Sequence, residues 1–336
     1  AFCLAHGCEK GRMRLLCLMQ KARGAKLFGV WMHLFSMWFA LTDAGCVWLP
    51  RYPVSHQKTH SSRKRSRPGA EPYIRTMTPT HTGSMPEVVR AFASGSTPIA
   101  CQRIQTSIVQ TYVDDFGKYA PKTKHKYLQK VFTAIPRMVG QKIKYSRIDP
   151  DAHSRDLKEA FELLGKAGVI HIVKQTSGDG LPLSAAASDR HFKAAFLDVG
   201  LMQNVCGLSA EVASHADILG VHQGSVAEQF AAQQLLAAES LYEKPLLFYW
   251  AREVPNSNAE VDYLAANNES VFPVEIKAGA TGSFRSMHLF LEQYHRPFGM
   301  AASQKAYLPQ APVLSIPLYA LQYWRNLIPP ASRPSG

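Results

Sequence analysis

The chain has 336 residues, 46% of them hydrophobic and 19% charged, with a formal net charge of +13. This composition excludes wholesale disorder and allows a sizeable core, and the length points to two domains. No run of about 18 apolar residues occurs, so no ordinary membrane span and no membrane partner are expected, and six scattered cysteines are too few for a disulfide scaffold, so a reducing, cytoplasmic setting is expected.

The charge is uneven. Residues 1–80 hold 13 Lys/Arg against 3 Asp/Glu. Lys118 to Lys158 holds 11 against 3, whereas residues 159–336 hold 12 against 16. A basic leader, a basic centre and a mildly acidic C-terminal half point to a local polyanion contact. A solvated lysine-rich helix is the alternative.

Residues 1–80 hold three of the five tryptophans and four of the six cysteines. Leu27 to Thr42 is uncharged and aromatic-rich, and Ser55 to Arg67 is a Ser/Lys/Arg/His-rich loop. Arg63-Lys64-Arg65-Ser66-Arg67 is a short basic run. Neither a helical nor a strand period holds here, so 1–80 is read as an unassigned, disordered or out-of-frame leader.

Order begins near Gly83. Ser84 ahead of Pro86 and Glu87 marks a helix start. Ile104, Ile108 and Tyr112 recur at helical spacing. Lys126 to Val139 is predicted as a second helix with Tyr127, Val131 and Ile135 on one face. Lys142 to Tyr145 alternates. Ser154 is expected to cap a helix over Arg155–Lys166, with Leu157, Phe161 and Leu164 inward. Val169 to Gln175 is a predicted strand, and Ser177 to Gly180 turns into Leu181-Pro182-Leu183. Two helices followed by a β-hairpin is the order of a winged helix, so residues 121–183 are read as winged-helix-like. Lys142, Lys144, Arg147 and Arg155 are its candidate phosphate contacts. Use of the same segment for protein packing is the alternative.

In the C-terminal half, Val226 to Leu241 is a predicted helix. Glu228 shares a face with Ala231, Ala232 and Leu235, and a carboxylate on an apolar face is costly unless compensated. Leu246 to Trp250 is a strand. Glu260 to Leu264 and Val271 to Lys277 form a hairpin around Asn267-Asn268. Asp262 lies on one arm; Glu275 and Lys277 share a side of the other, away from Phe272, Val274 and Ile276. Two carboxylates on paired strands can hold one divalent ion through oxygen, and a neighbouring lysine can position the attacking water. The set points to Mg²⁺, with Glu228 as a third oxygen ligand and Asp262, Glu275 and Lys277 as the catalytic group. Two rival readings of the same residues are a surface hairpin with an incidental salt bridge and a nuclease fold that no longer cuts.

Five words occur in order: Gly83-Ser84-Met85-Pro86-Glu87-Val88-Val89, Tyr145-Ser146-Arg147-Ile148-Asp149, Phe196-Leu197-Asp198-Val199-Gly200-Leu201, Asn258-Ala259-Glu260-Val261-Asp262-Tyr263-Leu264 and Pro273-Val274-Glu275-Ile276-Lys277-Ala278-Gly279. Over roughly residues 81–325 the chain resembles the C-terminal part of prokaryotic AAA-type ATP-binding proteins that end in domain of unknown function 4143. The resemblance implies an α/β fold in which a winged-helix-like segment precedes a restriction-endonuclease-like mixed sheet flanked by helices. It implies the end of an ATPase module at 81–120 and a nuclease-like domain at 184–325. It puts Asp262, Glu275 and Lys277 at the nuclease-like positions, with Glu228 on the preceding helix. No Gly-x-x-x-x-Gly-Lys-Ser/Thr string occurs, so no ATP site and no ATPase activity are expected of this chain; it reads as a truncated or interrupted relative. The expected function is a DNA-binding or DNA-processing module with a divalent-metal phosphodiesterase site. The alternative is a non-catalytic remnant that binds protein partners.

The remaining single residues point elsewhere. Asp198 reads as a turn or strand-end residue, Trp250 and Trp324 as core, and His171 and His191 as histidines without a metal-spaced partner. Cys101 and Cys206 lack a neighbouring base. Phe284 to Tyr294 is an amphipathic helix expected to pack on the sheet.

Overall fold

The computed structural model describes residues 82–119, 121–208, 216–240, 242, 244–252, 259–278 and 283–328. They fall within one unit, Leu49–Gly336. The expectations for residues 1–80 lie outside the described residues.

Among the described residues five helices come first: α1 (Pro86–Ala93), α2 (Pro98–Tyr119), α3 (Lys122–Ala134), the single turn α4 (Tyr145–Ile148) and α5 (Ser154–Lys166). Strands β1 (Ile170–Thr176) and β2 (Ala187–Phe196) follow, then α6 (Val199–Val205), α7 (Ala216–Ala237) and β3 (Leu247–Ala251). The chain ends with β4 (Glu260–Ala266), β5 (Val271–Lys277), α8 (Arg285–Gln293), β6 (Gly299–Ser303), β7 (Val313–Pro317) and the turn α9 (Trp324–Leu327). Among the described residues no helix is long and apolar enough to cross a membrane.

Local chemistry explains most boundaries. Pro86 opens α1 because its fixed φ suits the first helical position. Ser84 does not cap that helix; Met85 stands at the cap, and the Ser84 amide and hydroxyl both donate to Asp198 Oδ2, at 2.5 and 2.8 Å. The helix expected over Lys126–Val139 starts earlier and stops at Ala134, giving way to a 3₁₀ turn over Ile135–Met138. Pro136 has no amide hydrogen to continue the α-helical ladder. Ser154 is the first residue of α5 rather than its cap, which is His153. The inward face of α5 is as expected, with Leu157, Phe161 and Leu164 buried. Lys142 to Lys144 form no named strand, but the Ile143 amide donates to the Phe192 carbonyl of β2 at 2.9 Å.

All seven strands form one mixed sheet in the order β2-β1-β3-β4-β5-β6-β7. The β1–β2 hairpin does not stand apart from it. β1 pairs antiparallel with β2 (Val173↔Lys193) and parallel with β3 (Val173↔Leu247). The β3–β4 and β4–β5 pairs are antiparallel, and β5, β6 and β7 run parallel. Strands β5 and β6 are buried along almost their whole length, as parallel strands covered on both faces must be.

Aromatic contacts fix the helices on the sheet. Phe132 of α3 meets Phe196 of β2 at 5.2 Å between ring centres, and Phe161 of α5 meets Phe192 at 5.3 Å. Helix α8 packs on β4 and β5, with Phe290 edge-on to Trp250 at 5.4 Å. Full burial of one such side chain contributes about 1.5–3 kcal/mol. Trp250 and Trp324 are both core residues.

Candidate functional site

The site begins with an irregularity in the β3–β4 ladder. Phe248 pairs with Leu264 and Trp250 with Val261, so Tyr249 alone faces two residues, Asp262 and Tyr263. This is a β-bulge, which re-aims side chains at the point where it occurs. The Tyr263 hydroxyl donates to the Glu228 carbonyl of α7 at 3.1 Å. Asp262 Oδ2 accepts from the Ile276 amide of β5 at 2.7 Å. One step along the Tyr263↔Val274 register brings Asp262 opposite Glu275. Glu275 and Lys277, two apart on β5, meet each other: Lys277 Nζ donates to Glu275 Oε1 at 2.8 Å. The four residues marked in the sequence therefore gather around the β4–β5 hairpin and α7.

Their electrostatics are those of a crowded, partly dry cluster. Burial and then the Asp262 charge push the Glu275 carboxyl up to about 7, against the opposing pull of Lys277. Burial and then Asp262 push Glu228 up to about 7 as well, while Lys193 opposes. Asp262 is also raised, chiefly by burial, although Lys193, the Ile276 amide and Lys277 favour its charged form. Glu228 is overlaid by the turn after α3. Gly140 has φ +81°, and a Cβ there would lie 2.5 Å from Glu228 Oε2, so only glycine lets the backbone come this close. Glu228 Oε2 and Glu275 Oε2 are buried without a hydrogen-bond partner. Such atoms are costly unless something else satisfies them.

The sequence reading missed the cation at the centre of this cluster. Lys193 lies on β2, its side chain only 4% exposed, with Nζ 2.5 Å from Glu260 Oε1 and 5.0 Å from the ring centre of Tyr249. Burial pulls this ammonium down, but Glu260, Glu228 and Asp262 together outweigh burial and raise it. Lys142 Nζ approaches Glu260 Oε2 at 3.2 Å. Around the hairpin, four carboxylates (Glu228, Glu260, Asp262, Glu275) thus face three ammonium groups (Lys142, Lys193, Lys277). The only sequence signal for Lys193 is a charge directly before the apolar Ala194-Ala195-Phe196.

Among the described residues no three His, Cys, Asp or Glu side chains are gathered closely enough to cage a metal ion. Mg²⁺ does not need such a cage, because it keeps several waters and takes one or two carboxylates plus phosphate oxygens. The unpartnered oxygens of Glu228 and Glu275 are the hard anionic donors that this ion prefers, so the residues present fit it.

The other marked residues lie apart from the hairpin cluster. Lys144, Arg147 and Arg155 are exposed on α4, α5 and the segment before them. Lys142, by contrast, is drawn into the Glu260 pair. Asp198 is fully buried and caps α6 through a bond from the Leu201 amide to Oδ1 at 2.9 Å. His191 is exposed. Burial, aided by Lys244, holds His171 down at about 4. Burial pushes both the Cys101 and the Cys206 thiols up, away from reactivity.

Comparison with protein families divides the chain into two parts. Residues 79–212, from before α1 through α6, match the family model described as Domain of unknown function (DUF8612). Residues 223–319, which contain Glu228, Asp262, Glu275 and Lys277, match that described as Domain of unknown function (DUF4143). No curated protein and no solved structure matches the chain.

Proposed function

We propose that the chain is a DNA-binding or DNA-processing module of the kind found in AAA-type ATP-binding proteins, with a divalent-metal phosphodiesterase site at Asp262, Glu275 and Lys277. On this reading the sheet and its helices are restriction-endonuclease-like, and residues 121–183 are a winged-helix-like segment. The observation that carries it is the crowding of buried carboxyl groups at the β4–β5 hairpin, with two carboxyl oxygens that have no hydrogen-bond partner.

Asp262 and Glu275 would hold the ion, with Glu228 as a third oxygen ligand. Mg²⁺ would supply polarisation of a phosphoryl oxygen there. Lys277, fixed on Glu275, offers positive charge to the reacting phosphate. Lys144, Arg147 and Arg155 are exposed cations able to contact the nucleic-acid backbone.

The test is incubation of the full chain with single- and double-stranded DNA and RNA in Mg²⁺ or Mn²⁺. Cleavage that disappears in Asp262→Asn and Glu275→Gln supports the reading; cleavage unchanged by both contradicts it. A second reading, a non-catalytic module that binds protein partners, draws on the ion pairs Lys193–Glu260 and Lys277–Glu275, which neutralise part of the cluster internally. It expects no Mg²⁺ affinity and no retention on DNA at low salt.

A further inference from the structure

A crevice of about 810 Å³ opens at the ends of β1 and β3. Gln175, Thr176, Trp250 and Ala251 are buried in it, and Ala186, Arg252 and Tyr294 reach solvent around them. Its position follows from the topology. β1 and β3 are parallel neighbours, and the chain leaves β1 towards β2 on one side and β3 towards β4 on the other. The crevice lies at the carboxyl ends of these two strands, where the connections diverge. In open α/β sheets that is where ligands bind.

The same edge of the sheet carries the carboxylates. β4 is antiparallel to β3 and β5, so Glu260 and Asp262 near its start, and Glu275 and Lys277 near the end of β5, come to the edge where β1 and β3 end. From β3 to β5 is two strand spacings, about 10 Å. A chain of contacts joins the two places. The Gln175 side chain of β1 donates from Nε2 to the Ala251 carbonyl at 3.4 Å and accepts at Oε1 from the Tyr249 hydroxyl at 3.2 Å, and Lys193 lies over the Tyr249 ring.

We propose that this crevice holds an unpaired nucleotide of a single-stranded nucleic acid, next to the phosphodiester presented to Asp262 and Glu275. The inference rests on the phosphodiesterase reading and names its substrate class. The volume suits a nucleotide, since small-ligand sites span roughly 300–1,000 Å³. The partly exposed Tyr294 ring offers a stacking face, and Arg252 offers a planar cation for phosphate. Duplex DNA, with its bases already stacked and paired, has no residue to place there.

Fluorescence anisotropy of short labelled oligothymidylate and oligouridylate with the full chain, in EDTA, tests it. Ala186→Trp fills the crevice and Arg252→Gln removes its cation; both positions are exposed, so the fold is kept, as equal unfolding midpoints verify. The two crevice variants should bind a strand about tenfold more weakly than wild type. Duplex binding should be the same in Ala186→Trp as in wild type. Strand binding by wild type that is lost in the crevice variants, without cleavage in either metal, supports the crevice and counts against the phosphodiesterase. Equal binding by both crevice variants and wild type overturns the proposal. So do failure of every form to bind a strand and displacement of the strand by equimolar dTMP.

Discussion

Lys193 and Glu260 meet at 2.5 Å where β2 and β4, two strands that are not neighbours in the sheet, send side chains to one place. The pair is almost closed to water on the lysine side, and Lys193 also faces Glu228 and Asp262. It is the internal counter-charge of the cluster. Without it, three carboxylates would share a poorly hydrated space.

Lys193→Met should therefore cost stability. Removing one partner of a buried pair costs about 3 kcal/mol, because the other charge is left uncompensated. The loss should be larger at pH 8, where the carboxylates are ionised, than at pH 5. Urea unfolding at both pH values measures it. An unchanged midpoint at pH 8 would contradict the assignment of Lys193 as the counter-charge.

The pH dependence has a definite sign. Glu228 and Glu275 titrate at about 7 in the folded chain against an ordinary value of 4.5. Between those values the folded form binds more protons than the unfolded form. Stability from this pair therefore falls as pH rises from about 4.5 to 7 and is level above that window. The double variant Glu228→Gln/Glu275→Gln should flatten the slope of unfolding free energy against pH in this window. An identical slope in variant and wild type would show that the two carboxyls are not raised.

Backbone contacts to DNA are separable from the site. Lys144, Arg147 and Arg155 are exposed, whereas Lys142 is engaged by Glu260. Replacing the first three with Ala should lower the slope of log affinity against log salt for duplex DNA by about 2.7, at roughly 0.9 for each phosphate no longer neutralised. Lys142→Ala should change that slope less than any one of them. A triple variant with the wild-type slope would remove these residues from the interface.

Asp198 ties the first helix to the rest of the fold by accepting from Ser84 and from the Leu201 amide. Gly83 makes the approach possible, with φ +68° and with its missing Cβ directed at the Asp198 carboxylate. Gly83→Ala should cost about 2 kcal/mol or more, from left-handed backbone strain and collision with that carboxylate. Thermal unfolding, with limited proteolysis around α1, measures it. A variant that melts as wild type would mean that the carboxylate yields freely.

Much of this could be read from residue order, because the signals are local. Alternation in Val271–Lys277 and the Asn267 turn marked the β4–β5 hairpin, whose turn is closed by Asn267 Oδ1 accepting from the Glu269 and Ser270 amides. The spacing of Leu157, Phe161 and Leu164 marked the buried face of α5. What stayed hidden is long-range. The parallel pairing Val173↔Leu247 joins segments more than seventy residues apart, and nothing within either one specifies its neighbour. Lys193 reads as an ordinary strand lysine until β2 is set beside the carboxylates. The bulge at Asp262–Tyr263 arises from the match between two strands and not from either strand alone. Ser84 carries a capping residue type, yet its partner is Asp198, which the fold brings back across 114 positions.

Calorimetric titration of Mn²⁺ or Mg²⁺ into the full chain at pH 8, beside Asp262→Asn and Glu275→Gln, probes the hairpin cluster itself. The expected result is saturable binding by the wild-type chain, whose Glu228 and Glu275 carboxyls are ionised at this pH, and loss of that binding in both variants. Heat indistinguishable from dilution in the wild-type chain, or equal binding in all three proteins, would contradict a metal-dependent role for Asp262 and Glu275.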